Sequence, residues 1–278
     1  MEKLITKELK DQIVQQIRNW WKVNGGVGPA VIGISGGKDS SVVAALCVEA
    51  LGRDKVFGVM MPNGTQKDIA DSIKLCKHLK IENFGINIGP ITNEMNMLIH
   101  TMNGDMVIKK SKFKPISDSS RYTTNIPPRV RMTMLYAVAQ NLGGRVIGTG
   151  NASENYIGWY TYGGDSISDF NPIKNLFVDE VVELGKLLKL PKELVEKAPS
   201  DGLTDKTDED NLGFTYADVK KEALKCDDWQ VRSPASDGLI PFADIERKHK
   251  ATQFKRDIIN VPGIEFYRDK YGKIVSVK

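Results

Sequence analysis

AVIGISGGKDSSVVAALCVEAL, residues 30–51, is the stretch on which the fold turns. Its opening apolar run, Ala30 to Ile34, is too short for a helix and reads as a buried strand. From Asp39 onward, Val42, Val43, Leu46, Cys47 and Ala50 fall on one helical face. Between the two lies Ser35-Gly36-Gly37-Lys38-Asp39-Ser40. Adjacent glycines let backbone amides approach phosphate oxygens closely, and the unpaired N–H groups of a helix start attract anions. Ser35, Ser40 and Ser41 add hydroxyl donors. Asp39 would repel a bare phosphate, so its presence implies a bridging Mg²⁺, which favours one or two carboxylates together with phosphates. The loop is not a Walker A sequence, because Asp39 follows Lys38 where Ser or Thr belongs, and it lacks the G-x-G-x-x-G dinucleotide spacing.

Outward from this stretch the same alternation continues. KVFGVMM (55–61), FGINI (84–88) and RVIGT (145–149) read as further buried strands. Residues 7–21 predict a helix with Leu9, Ile13 and Ile17 inward, and 66–80 a second through Ile69, Ile73, Cys76 and Leu79. Another begins at Pro127-Pro128, since proline suits a first helical turn, and Gly143-Gly144 ends it. Strands and helices in this order predict an α/β fold, a doubly wound parallel sheet flanked by helices in the Rossmann manner. No repeat or linker interrupts the chain, so one domain over 1–278 is expected. Residues 109–126 and 199–213 read as irregular loops, and the segments around Tyr271-Gly272 as a short hairpin.

Composition narrows the class. The chain is 41% hydrophobic and 27% charged, as soluble globular proteins are, and no run approaches the ~20 apolar residues of a membrane helix. The charged N-terminus is unlike a secretory signal, so a cytoplasmic location without a membrane partner is expected. Cys47, Cys76 and Cys226 form no C-x-x-C pair, which speaks against a disulfide framework or zinc cluster, and the first two read as packing residues. A net charge of +4 suits anionic small molecules better than nucleic acid. The basic run Lys109 to Lys114 reads as a solvated loop.

The loop at 35–40 resembles that of the ATP pyrophosphatases, the adenine nucleotide alpha hydrolase type, which cleave ATP between the α and β phosphates. Further segments narrow the resemblance to the ammonia-dependent NAD synthetases. These are Gly148-Thr149-Gly150-Asn151-Ala152-Ser153-Glu154, Asp169-Phe170-Asn171-Pro172-Ile173, Pro199-Ser200-Asp201-Gly202-Leu203, Asp208-Glu209-Asp210-Asn211-Leu212-Gly213 and His249-Lys250. Their order fits one alignment over roughly residues 5–255.

The resemblance implies amidation of deamido-NAD with ammonia through an adenylated nicotinate carboxylate, with ATP as co-substrate, Mg²⁺ as cofactor and a homodimer as the assembly. It implies that ATP is met by Gly33, Ile34, Ser35, Gly36, Gly37, Lys38, Asp39, Ser40, Thr149, Val178 and Ser200. It assigns Mg²⁺ to Asp39 and Glu154, and deamido-NAD to Arg129, Tyr162, Asp169, His249 and Lys250. No side chain is implied as a covalent nucleophile. Arg129 and Arg131 lie about 200° apart on a helix, so only one of them is expected to face the cleft.

Tyr162 and Val178 depart from the family, which carries lysines there; Lys174, one helical turn before Val178, is the expected replacement. About 30 residues precede the loop, too few for a glutamine amidase, so ammonia is expected to be free or supplied in trans. Two rivals stand beside it: another enzyme with this loop, such as a GMP synthetase or a tRNA thiolase, the latter disfavoured by the absence of C-x-x-C, and a non-catalytic adenine-nucleotide-binding protein, disfavoured by the pair Asp39 and Glu154.

Overall fold

The computed structural model describes residues 5–65, 69–104, 121–196, 207–224, 242–258, 261–269 and 271–277. Strands β1 (Ala30–Gly33), β2 (Val56–Met60), β3 (Glu82–Gly85) and β4 (Arg145–Ile147) make a parallel sheet in the order β3-β2-β1-β4. The chain moves outward from β1 through β2 to β3, then returns to place β4 on the other side of β1. That reversal between β1 and β4 is a topological switch point, where the two outgoing loops part and leave a crevice.

Both faces of the sheet are covered, as the apolar strands require. Ala30, Ile32, Val56, Met60 and Ile147 point into one core with helices α1 (Lys7–Asn24) and α2 (Lys38–Leu51). Val31, Val59 and Val146 point into the other, against α5 (Arg121–Leu142). α2 is wrapped by the sheet, α1, α7 (Val178–Leu187) and α8 (Lys192–Val195). Every residue from Ser40 to Cys47 is therefore buried, not only the face that its periodicity marks.

Several elements differ from expectation. β3 begins at Glu82 and is exposed throughout, because an edge strand needs no apolar face on solvent. The apolar Ile86 and Ile88 follow it, held by amide bonds from Ile86 to Met60 O and Ile88 to Pro62 O at 2.9 Å each. In α3 (Ile69–Leu79), Ser72, Leu75 and Cys76 face inward, while Ile73 is exposed. α4 (Gly89–Gly104) was not foreseen in the sequence. α5 starts at Arg121, ahead of Pro127 and Pro128. The fixed φ of proline fits a helix at the cost of two backbone donors, and Pro128 packs against Gly164, where a Cβ would stand 3.0 Å away.

Of the two expected loops, residues 109–120 and 199–206, Ser200 among them, lie outside the described residues. The rest of the second is helical: α9 (Asp208–Leu212) is capped by Thr207, whose hydroxyl accepts from the Asp210 amide. After α10 (Tyr216–Leu224), α11 (Phe242–Ala251) and α12 (Gln253–Ile258), the expected hairpin forms from β5 (Phe266–Arg268) and β6 (Ile274–Val277). No helix among the described residues is long and apolar enough to cross a membrane.

Candidate active site

The loops leaving β1 and β4 meet at the switch point. After β1 the chain turns at Gly36, whose φ of +81° lies in the left-handed region that favours glycine. Serine hydroxyls hold the turn. Ser35 Oγ accepts from the Gly37 amide at 3.2 Å, and Ser40 and Ser41 donate to Gly37 O at 3.1 and 2.8 Å. Ser41, fully buried, is thereby committed to the loop rather than to a ligand. The first turn of α2 opens into the crevice with Lys38 and Asp39.

After β4, Gly148 passes so close to Ser168 that a Cβ would lie 2.4 Å from its hydroxyl. Thr149 follows, half-buried. The short helix α6 (Ala152–Ile157) then starts with a reciprocal cap. The Glu154 amide donates to Asn151 Oδ1 at 3.1 Å, and the Asn151 amide donates to Glu154 Oε2 at 3.0 Å. Such a box satisfies two helix-end donors and fixes the carboxylate's direction. Asn151 then reaches across the crevice, its Nδ2 donating to Asp39 Oδ1 at 3.2 Å. One buried asparagine thus joins the loop of β1 to the loop of β4.

Charge is concentrated here. Lys38 is 4% exposed and pairs with Asp39 Oδ2 at 3.1 Å. Burial works against its charge, but Asp39 and Glu154 outweigh burial and raise its pKa. Glu154 is pushed well above the usual carboxylate range, first by desolvation and then by the neighbouring Asp39, with Lys38 opposing. Two carboxylates that repel each other in a poorly solvated place favour a cation between them. As hard oxygen donors they suit Mg²⁺. Among the described residues no group of three or more potential ligands forms. A metal held there would complete its shell with phosphate and water. Asp208, buried on α9, also feels Lys38 and accepts from the Tyr216 hydroxyl at 3.1 Å.

Beside Glu154 an open pocket is lined among others by Gly150, Asn151, Tyr160, Asp165, Asn171 and Lys174. Lys174 is not on a helix, since α7 begins only at Val178; its Nζ donates to Val261 O at 2.8 Å on the cavity side. Val178 instead packs with Ile157, Trp159 and Phe214. Lys174 therefore brings its charge to a different wall from the one a lysine at 178 would serve.

The sequence profile of the NAD synthase family matches residues 7–258. The chain belongs to the NAD synthase family. An NH3-dependent NAD+ synthetase of Pyrococcus horikoshii is 36% identical over 92% of this chain and 95% of its own. Among solved structures, an NMN synthetase from Francisella tularensis superposes with a TM-score of 0.74 and 33% identity, over 92% of this chain and 98% of that one. An NH3-dependent NAD synthetase from Campylobacter jejuni gives 0.67 and 26%, over 92% and 97%. The parallel sheet flanked by helices is the fold of these neighbours, as expected.

The candidate residues of this NAD synthase family member are not all gathered. Gly33 to Ser40, Thr149 and Glu154 converge on the crevice. Arg131 stands by the carboxyl end of β2, and Arg129 by the segment that follows α6. Arg129 is exposed and donates from Nε to Tyr162 O at 3.1 Å, while Arg131 donates from Nε to Met61 O at 3.0 Å. The two arginines of this helix thus hold different segments, of which only Met61 directly follows a strand, β2.

Asp169 turns to the sheet margin, its Oδ2 accepting from the Val146 amide at 2.8 Å. His249 stacks on Tyr156 at 4.1 Å, with Nδ1 2.7 Å from Tyr156 O. Exposed Lys250 pairs with Glu246 at 2.6 Å. Asn151 carried a readable sign, since N-x-x-E before a helix is a capping signature. Lys255 and Arg256, which donate to the carbonyls of Gly158, Tyr160, Asn155 and Tyr156, had no such sign, because their partners lie about 100 residues away.

Proposed function

We propose that the chain uses ATP to amidate deamido-NAD with ammonia, giving NAD, AMP and pyrophosphate. The observation that carries this reading is the Asn151 bridge, which ties the phosphate loop at Asp39 to the carboxylate of Glu154 across the switch point. A carboxylate is a poor electrophile, and ATP serves to turn one of its oxygens into a leaving group. The nicotinate carboxylate attacks the α-phosphorus, and the bond to the β-phosphate oxygen breaks, releasing pyrophosphate. Ammonia then attacks the acyl carbon, the bond to AMP breaks, and the surplus proton on nitrogen passes to solvent.

The chain's own groups position and neutralise, which supplies most of the rate in such transfers. The amide of Gly36 and the start of α2 bind phosphate oxygens. In this reading Asp39 and Glu154 hold Mg²⁺, which when bound neutralises the phosphate charge. Ser153, whose hydroxyl accepts from the Val178 amide at 3.3 Å, fixes α6 against α7 and so steadies Glu154. The cavity beside Glu154 takes the pyridine ring. We further read the chain as one domain that works as a homodimer. Exposed Ile91, Met95, Met97 and Leu98 on α4 offer an apolar face in support.

A second reading keeps the chemistry and shortens the substrate to nicotinate mononucleotide. It is favoured by the likeness to the Francisella NMN synthetase, the highest in TM-score among the structures compared above. It also gains from Tyr162, which removes a lysine that the family offers to the dinucleotide.

Pyrophosphate release with ATP, Mg²⁺ and ammonium tests both. The main reading expects kcat/KM to be highest with deamido-NAD; a higher value with the mononucleotide selects the second. Release without either substrate, or equal rates with glutamine in ammonia-free buffer, sinks both.

A further inference from the structure

Lys38 is placed unusually. It is the first residue of α2, where the helix dipole disfavours a cation, and it is 4% exposed. Two opposing influences, dipole and burial, would normally turn a lysine out to solvent. What keeps it in is the acidic set around it: Asp39 at 3.1 Å, with Glu154 and Asp208 as further electrostatic neighbours. Asp39 Oδ1 is meanwhile taken by Asn151. Both oxygens of Asp39 therefore have protein partners in the ligand-free chain, and an ammonium already balances its charge.

We propose that Lys38 is the resident counter-ion of Asp39 in the free protein, and that a divalent cation enters only together with the nucleotide. The inference rests on the reading of Asp39 and Glu154 as the metal site. A divalent ion placed between these carboxylates would stand beside a buried ammonium, and the two cations repel. Triphosphate resolves the conflict, because its oxygens accept from the lysine while also joining the metal's shell. Lys38 thus opposes binding of a bare metal and favours binding of its nucleotide complex. Order of binding follows from one side chain.

Calorimetric titration of the whole chain with Mn²⁺, which takes the same oxygen ligands as Mg²⁺, tests this. The parent protein should bind Mn²⁺ at least ~10-fold more weakly alone than with α,β-methylene ATP present. Lys38→Gln, which keeps a hydrogen-bond donor toward Asp39 but not the charge, should bind Mn²⁺ alone at least ~10-fold more tightly than the parent. Adding Asp39→Asn to it should abolish that gain.

Equal Mn²⁺ affinity in parent and Lys38→Gln overturns the proposal, as does a gain that survives Asp39→Asn. The parent's own comparison with and without nucleotide requires no variant to fold; equal affinity there overturns the proposal as well. Failure of the underlying metal reading has a separate signature: Asp39→Asn alone would leave nucleotide-dependent Mn²⁺ binding intact.

Discussion

Asp39 divides its carboxylate between two neighbours, Lys38 at Oδ2 and Asn151 at Oδ1. Asparagine at 39 would keep the shape and one of the two contacts, since its carboxamide has a single accepting oxygen, while removing the charge that a metal needs. Asp39→Asn is expected to lower turnover by ~100-fold or more, and to lower the thermal midpoint as well, because buried Lys38 loses its counter-charge. Turnover within tenfold of the parent at saturating Mg²⁺ would count against the metal role. The cysteines give a second expectation at this scale. Burial pushes the Cys47 thiol up to about 12 and, together with a weaker opposing backbone bond, the Cys76 thiol up to about 11. Neither forms the reactive thiolate in the native state. Peptide mapping after native alkylation at about pH 8 should find both unmodified, and both modified after unfolding. Labelling of either at the unfolded rate in native protein would refute their burial.

The element that most affects the site is α6, a single short helix whose caps do two jobs. Its N-terminal box aims Glu154, and Lys255 and Arg256 bind carbonyls at its far end and just beyond. So short a helix has no stability of its own, and capping supplies a large share of what holds it. Asn151→Ala removes the side-chain half of the box and the bridge together. The expected loss is about 1 kcal/mol of stability in urea unfolding. A raised KM for ATP with Mg²⁺ should accompany it, because Glu154 and Asp39 lose their common tie. A stability loss with KM unchanged would reduce Asn151 to a cap.

At the scale of the molecule, the terminal hairpin is fastened to the body by charge. Glu180 on α7 is 2% exposed and takes two bonds from Arg268 of β5, at 2.5 and 2.9 Å, with Lys220 of α10 at 3.1 Å. Burial alone would raise its pKa, but Arg268 and Lys220 outweigh burial and hold it below the ordinary carboxylate value. A depressed folded pKa means that this cluster contributes stability above the unfolded value, and the contribution is lost as pH falls through the folded one. Glu180→Gln should therefore cost about 3 kcal/mol near neutrality and flatten the acid limb of stability against pH. An acid limb unchanged by the substitution would show that other carboxylates dominate it.

Strand, loop and helix at 30–51, and the parallel alternation around them, were legible because each follows from local periodicity and glycine chemistry. β1, β2, β4, α1 and the hairpin could be placed for the same reason. β3 was displaced toward Ile86 and Ile88 because an edge strand carries no apolar signature, and α4 was missed. The start of α5 was misplaced because prolines inside a helix are tolerated only where packing, here against Gly164, compensates. The family could be read from residues too, since its motifs are contiguous. The order β3-β2-β1-β4, by contrast, is a property of pairing between distant segments, and with it comes the crevice that brings Asp39 and Glu154 together. The turning of Asp169 and His249 away from the cavity, the placing of Lys174 on its wall and the burial of Lys38 were likewise decided by tertiary structure. A side chain's direction depends on which atoms surround it, and those atoms come from parts of the chain that no local pattern connects.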